Sequence, residues 1–432
     1  VEGFEIVAGL FTLAATFSYL NQRFVGLPTT IALMLFGLLF SMGVVVVGRF
    51  VPGVEAEAVS LLERIDFDDT LMHGMLGFLL FAGALHVDLD DLAEQRGVIA
   101  LLASLGLLIS TFVVAGAMYV VLGALGVRTS IVACLLFGAL ISPTDPIAVL
   151  SILKNLAVPK SLETKIAGES LFNDGVAVVV FLAILSGAGL AGHGGDGPIA
   201  LEVARLFAVE TLGGALFGLA IGWVAYRAMR SVDSYDVEIL VSLALVSGGY
   251  AAALAMHLSG PIAMVVAGLL IGNHGRRFAM SEKTRTHLDT FWQLVDEILN
   301  ALLFVLIGLE VLVLTFHTVW VEAALIAIPV TLLARTLGVG VPIALLGRVR
   351  GFEPSTVPVL VWGGLRGGIS VALALSLARP LGGVDRPAYD AILVMTYVVV
   401  CFSIGVQGLT MSPLLRRLGL AGPAAQHPRD AH

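Results

Sequence analysis

Charge is scarce in this chain. Of 432 residues, 13% are Asp, Glu, Lys or Arg, about half the share of a soluble domain. Cysteine is scarcer still: Cys134 and Cys401 both lie inside apolar runs, which excludes a disulfide scaffold and makes packing their expected role. The net charge of −8 is spread over loops, and no basic patch with interleaved aromatics is present, so no nucleic-acid partner is expected. No apolar/polar alternation of the β-barrel kind occurs. No basic n-region precedes the first apolar run, which is expected to be a retained span and not a signal peptide. Neither a His-Glu-x-x-His zinc helix nor a Gly-x-Gly-Asp pattern is found, which argues against an intramembrane protease using Asp145 and Asp174. The lack of a repeated filter sequence or charge ring argues against a channel.

What remains is apolar sequence. Hydrophobic residues make up 58% of the chain, the mean hydropathy is +0.98, and the apolar runs are continuous over helix lengths. The fold class predicted is an all-α polytopic membrane protein. Thirteen spans are predicted, beginning near Phe4, Pro28, Thr70, Gly97, Ser130, Ile166, Leu206, Val237, Gly260, Phe291, Val321, Val357 and Ala391. Between them, Val54–Asp69 reads as a polar loop or surface helix, 190–198 as a flexible loop, and Gln426–His432 as a tail too short for a domain. With the N-terminus outside, sixteen Lys and Arg residues fall on the inner side and six on the outer, which predicts N-out, C-in. Arg335 and Arg366 belong to neither side because they lie within spans.

Treating the seventh span as a linker leaves two repeats of six spans in opposite orientation, the inverted plan of many secondary transporters. Their fifth spans are interrupted at matching places. Ser142-Pro143-Thr144-Asp145-Pro146 removes helix hydrogen bonds, and Gly363-Gly364-Leu365-Arg366-Gly367-Gly368 loosens the backbone, so both spans should unwind at mid-depth.

Beside these breaks the sixth span carries Gly168-Glu169-Ser170-Leu171-Phe172-Asn173-Asp174-Gly175 and then a purely apolar run. On a helix, Glu169 lies below Asn173 and Ser170 below Asp174. An acid inside a bilayer costs about 2.5–3.5 kcal/mol on insertion scales and therefore needs a reason. A carboxylate such as Asp174, beside Asn173 in a water-accessible cavity, can hold either a proton or a sodium-like ion. Asp145 and Thr144 offer further hard oxygen ligands, while Asp145 can equally cap the second half-helix; the two roles are compatible. Glu169, Arg335 and Arg366 form an expected electrostatic frame, with Glu169 paired to Arg335. In the tenth span Glu297 and Asn300 share a face that could line a funnel, and a solvated edge position suits Glu297 as well. His73 and His86 are read as packed residues in the first instance, and Gly214, Gly218 and Gly222 as a close helix crossing.

Together these motifs resemble the monovalent cation/proton antiporters, in the branch of the sodium/proton exchangers and bacterial NhaP-type proteins. The resemblance covers nearly the whole chain and is most specific at Ser142–Pro146, Gly168–Gly175, Phe291–Glu310 and Trp362–Ser370. It implies a homodimer in the inner membrane, C-terminus cytoplasmic, with no prosthetic group. It further implies scaffold segments 1–96 and 190–317, the latter including the linker helix, core segments 97–189 and 318–418, and a short tail at 419–432. By the same likeness Asp174 is the exchange carboxylate; Asp145, Ser170, Glu169 and the Thr144 backbone are its neighbours, with Na+ expected at Asp174, Asp145, Ser170 and Thr144. Asn173 stands where the electrogenic branch has a second aspartate, which implies electroneutral exchange of one Na+ (or Li+) per H+. A K+/H+ antiporter or a sodium-coupled solute carrier is the alternative.

Overall fold

The computed structural model describes residues 2–51, 53–63, 74–190, 199–314, 317–347, 351–378, 380–381 and 385–420. His73, residues 64–69 of the polar segment, residues 191–198 and the tail from 421 lie outside the described residues. Every regular element among the described residues is a helix. That follows from the solvent: in hydrocarbon each backbone N–H and C=O must be satisfied within the segment.

In chain order the helices are α1 (Glu2–Leu20), α2 (Thr29–Gly48), α3 (Val54–Glu63), α4 (Leu76–Leu85), α5 (Leu89–Leu101) and α6 (Leu107–Ala124). Next come α7 (Ile131–Ile141), α8 (Ile147–Asn155), α9 (Lys160–Gly187), α10 (Ile199–Arg230), α11 (Tyr235–Ala255) and α12 (Gly260–Leu270). The last are α13 (Glu282–Glu310), α14 (Thr318–Leu346), α15 (Thr356–Trp362), α16 (Gly368–Ser376), α17 (Arg386–Phe402) and α18 (Gly408–Arg417). A π-helical turn at Leu102–Gly106 runs α5 into α6, and another at Ser403–Gln407 runs α17 into α18. Among the described residues eight helical stretches are long and apolar enough to cross a membrane, and α4 and α7 are shorter apolar helices. The first half of the 54–69 segment is the helix α3.

Starts and stops follow local chemistry. Ser130, Ser259 and Ser281 each accept a backbone N–H from the first turn of the helix that follows, and Pro261 occupies that turn in α12, where no N–H is needed. The segment from α7 to α8 breaks at Ser142–Pro146, where two prolines supply no donors. The segment from α15 to α16 breaks at Gly363–Gly367. The two breaks touch: the Asp145 N–H donates to the Leu365 carbonyl at 2.8 Å.

Three apolar clusters hold the bundle. One joins α4 with α10, α11, α12 and the first half of α13 around Trp292, which is fully buried and donates its indole N–H to Ser242. A second joins α7, α14, α16 and α17 with the far half of α13, and a third packs α8, α15 and α18 together. Gly214, Gly218 and Gly222 face Ser259, Ala263 and Ala267 of α12, so the glycine ladder is used for a close crossing inside the chain. The outer faces of α2 and α10 carry exposed Leu39, Phe40, Leu212, Leu216 and Trp223, apolar surface suited to lipid. Cys134 and Cys401 are both free thiols.

Candidate cation site

The breaks leave four half-helix ends in the interior, and charged side chains occupy them by sign. Arg366, 2% exposed, donates through Nη1 to the carbonyls of Ser142 (2.8 Å) and Pro143 (3.0 Å), just past the C-terminus of α7. Arg335 on α14 donates through Nη2 to the Leu360 carbonyl of α15 at 2.9 Å. A cation at a helix C-terminus meets the negative end of the dipole and unpaired carbonyls together. Arg335 also clasps Glu169 with both terminal nitrogens, Nη2 to Oε2 at 2.9 Å and Nη1 to Oε1. Glu169 is thus spent in a buried two-pronged ion pair and does not line the cavity described below.

At the opposite ends, Asp145 Oδ1 accepts the Ile147 N–H at 2.9 Å, capping α8. The same carboxylate lies against Gly367 at the start of α16: a β-carbon there would sit 2.6 Å from the Asp145 Cβ and 2.8 Å from its Cγ. Two helix N-termini therefore converge on one carboxylate. Replacing Gly367 with alanine is expected to displace Asp145, with a loss of about 1–3 kcal/mol of stability. An unshifted melting profile would count against this packing.

Thr144 is tied to α9. Its Oγ1 lies 3.0 Å from the Ser170 Oγ and accepts the Asn173 Nδ2 at 2.9 Å, while its N–H donates to Asn173 Oδ1 at 3.4 Å. Ser170 and Asn173 thereby brace the break from behind, outside the cavity lining. Asp174, 9% exposed, makes no hydrogen bond or ion pair among the described residues.

Asp174, Asp145 and Thr144 line a cavity of about 560 Å³, walled on one side by α8, α9 and α16 and on the other by α4 and α13. The α13 wall presents Gln293, Asp296, Glu297 and Asn300. Four carboxylates thus face the space, against Lys154 and His86. Asp296 was not singled out from sequence; the available signal was its place four residues before Asn300, on the same helix face. His86 and Ala167 also line a second space of about 390 Å³, rimmed by Lys160, Arg276 and Arg277. There Lys160 pairs with Asp91 at 2.5 Å and Arg277 with Asp90 at 2.6 Å. The Arg277 guanidinium is pushed above its ordinary pKa by that hydrogen bond and by the charge of Asp90.

Residues 11–417 match the family of transmembrane sodium/hydrogen exchangers. The chain belongs to that family. Exchangers of this family are transporters and not enzymes. This exchanger is 50% identical to the Na+/H+ antiporter NhaP of Pseudomonas aeruginosa, over 99% of its own length and all of that protein. It is 36% identical to the Na+/H+ antiporter NhaH of Halobacillus aidingensis, over 91% and 93% of the two chains. Its fold matches the sodium proton antiporter MjNhaP1 of Methanocaldococcus jannaschii with a TM-score of 0.74 at 18% identity, covering 98% of this chain and all of the other.

Proposed function

We propose that this exchanger moves Na+ (or Li+) in one direction and H+ in the other through Asp174, one cation per proton. The observation that carries the reading is the buried Asp174 carboxylate, free of protein partners among the described residues, in a cavity lined by carboxylates. Oxygen ligands suit a hard cation, and a carboxylate that binds either H+ or Na+ makes the two compete for one charge. Asp145 and the Thr144 backbone carbonyl complete the cation's first contacts, while Glu297 and Asn300 line the approach. Ser170, Glu169 and Asn173 hold the site in shape, and Asn173 adds no second charge. Either ion neutralises the site, so the loaded core crosses while the empty, charged core is held back by desolvation. The moving core comprises residues 97–189 and 318–418, carried by a dimeric scaffold of 1–96 and 190–317 in a thirteen-span, inverted-repeat, N-out and C-in arrangement in the inner membrane. The relatives from Pseudomonas and Halobacillus, named as Na+/H+ antiporters, support the choice of cation.

Purified protein in liposomes carrying a pH gradient tests this. Na+ and Li+ are expected to dissipate the gradient and K+ to do so at least tenfold less well, with rates unchanged by an imposed membrane potential. An equal response to K+ would make it a K+/H+ antiporter. Rates that follow the potential would rule out one-for-one exchange.

A further inference from the structure

The second broken span supplies no side chain to the exchange centre as described so far, although one polar group on it is left without a partner. Four of its residues reach the cavity wall: Gly367 and Gly368 have no side chain, Ile369 is apolar, and Ser370 carries a hydroxyl. Arg366 is turned instead to the Ser142 and Pro143 carbonyls. Ser370 is 1% exposed, and its Oγ makes no hydrogen bond among the described residues. Buried hydroxyls on helices usually satisfy themselves on a carbonyl one turn back, as Thr331 does on Ala327 and Thr396 on Ile392. Ser370 does not. An orphaned buried hydroxyl is costly and calls for a partner.

Its place on the helix shows where that partner sits. Ser370 follows Gly367 by three residues and shares its face, and side chains on a helix lean toward the N-terminus. At that end the Asp145 carboxylate lies against Gly367, with Oδ2 the atom nearest to where a β-carbon would stand. Asp145 commits Oδ1 to the Ile147 N–H, while Oδ2 accepts no hydrogen bond among the described residues. Positions three apart on a helix hold their β-carbons about 5–6 Å apart. The hydroxyl and Oδ2 are therefore separated by the width of one coordinated ion, not joined directly. With no bond holding it, the hydroxyl is free to turn a lone pair into that gap.

We infer that the Ser370 hydroxyl is a ligand of the transported cation, bridged through it to Asp145 Oδ2, so that both broken helices contribute to one site. A serine hydroxyl keeps its own proton at physiological pH. It therefore strengthens the hold on the cation without taking part in proton binding, and it sets the sodium affinity of the centre. The inference rests on the exchange reading above, and its test separates the two.

The first arm measures sodium-dependent proton flux in liposomes for wild type, S370A, S370T and D174N. S370A is expected to raise the apparent KM for Na+ about tenfold, with kcat within about twofold of wild type. S370T keeps the hydroxyl and is expected to recover most of that KM. The second arm melts the purified proteins in sodium chloride and in choline chloride at equal ionic strength. In choline, S370A should melt at or above the wild-type temperature, because an unsatisfied buried hydroxyl has been removed. The extra stability that sodium gives wild type should shrink in S370A, since a weaker ligand stabilises less at the same concentration. An unchanged KM in S370A overturns the inference. So does a S370A variant that melts below wild type by the same amount in both salts, since the hydroxyl would then be structural. A raised KM that a well-folded S370T fails to recover overturns it as well. If the threonine methyl lowers melting in choline, S370A decides alone, by its KM and its response to sodium. Failure of the exchange reading shows separately, as wild type lacking sodium-dependent flux or D174N retaining it.

Discussion

Replacing Asp174 with asparagine abolishes sodium-dependent proton flux in liposomes, down to the level of protein-free vesicles, and leaves the protein as stable as before or more so. The two halves of that expectation come from one fact. Asp174 is buried and makes no hydrogen bond or ion pair among the described residues. A carboxylate so placed is held against its own desolvation, at a cost of about 2.5–3.5 kcal/mol on insertion scales. Asparagine keeps the shape and an acceptor oxygen, sheds the charge, and relieves that cost. It can neither release a proton nor balance a cation, so no cycle can be completed. Alanine at the same position should do the same. Flux measured with a pH-sensitive dye and melting of the purified protein give both readings. Sodium-dependent flux surviving in either variant would falsify Asp174 as the shared carboxylate.

The opposite signature is expected at Arg335. Substituting alanine strands Glu169 as an unpaired buried carboxylate and uncaps the Leu360 carbonyl, because Arg335 serves both. Breaking a buried pair from one side typically costs about 3–5 kcal/mol. The melting temperature should fall by roughly 5–10 °C. Arg335→Met combined with Glu169→Gln should recover most of that loss, since removing both charges together avoids the stranded one. A double variant no more stable than the single would show that the pair acts through something besides mutual neutralisation. Comparison with D174N is the informative part: one acid of the helix is expected to support stability, and the other, in the proposed reading, to serve exchange at stability's expense.

That division of roles bears on what could be seen from sequence. The membrane class was legible in the long apolar runs, and the two helix breaks in Ser142–Pro146 and Gly363–Gly368, because missing donors and flexible backbone act locally. The acids of the sixth span were conspicuous because charge inside an apolar run is costly wherever the helix sits. Asp296 went unremarked for the converse reason. Next to Glu297 and near the predicted start of the tenth span, it has the look of a membrane-edge residue, and only the placement of α13 across the cavity from α8 and α16 turns it inward.

Sequence by itself determined the solvent, the element type, the positions of the breaks and the short roster of acids and arginines that had to be accounted for. Each of these depends on chemistry within a few residues along the chain. Only the tertiary structure decided which acid is neutralised. Glu169 and Asp174 are five residues apart, roughly 140° around the helix at about 100° per residue. One meets Arg335 from α14, and the other opens into the cavity bounded by α4 and α13. Spacing sets the angle between two side chains on a helix, but what stands opposite each is contributed by segments about ninety or more residues away.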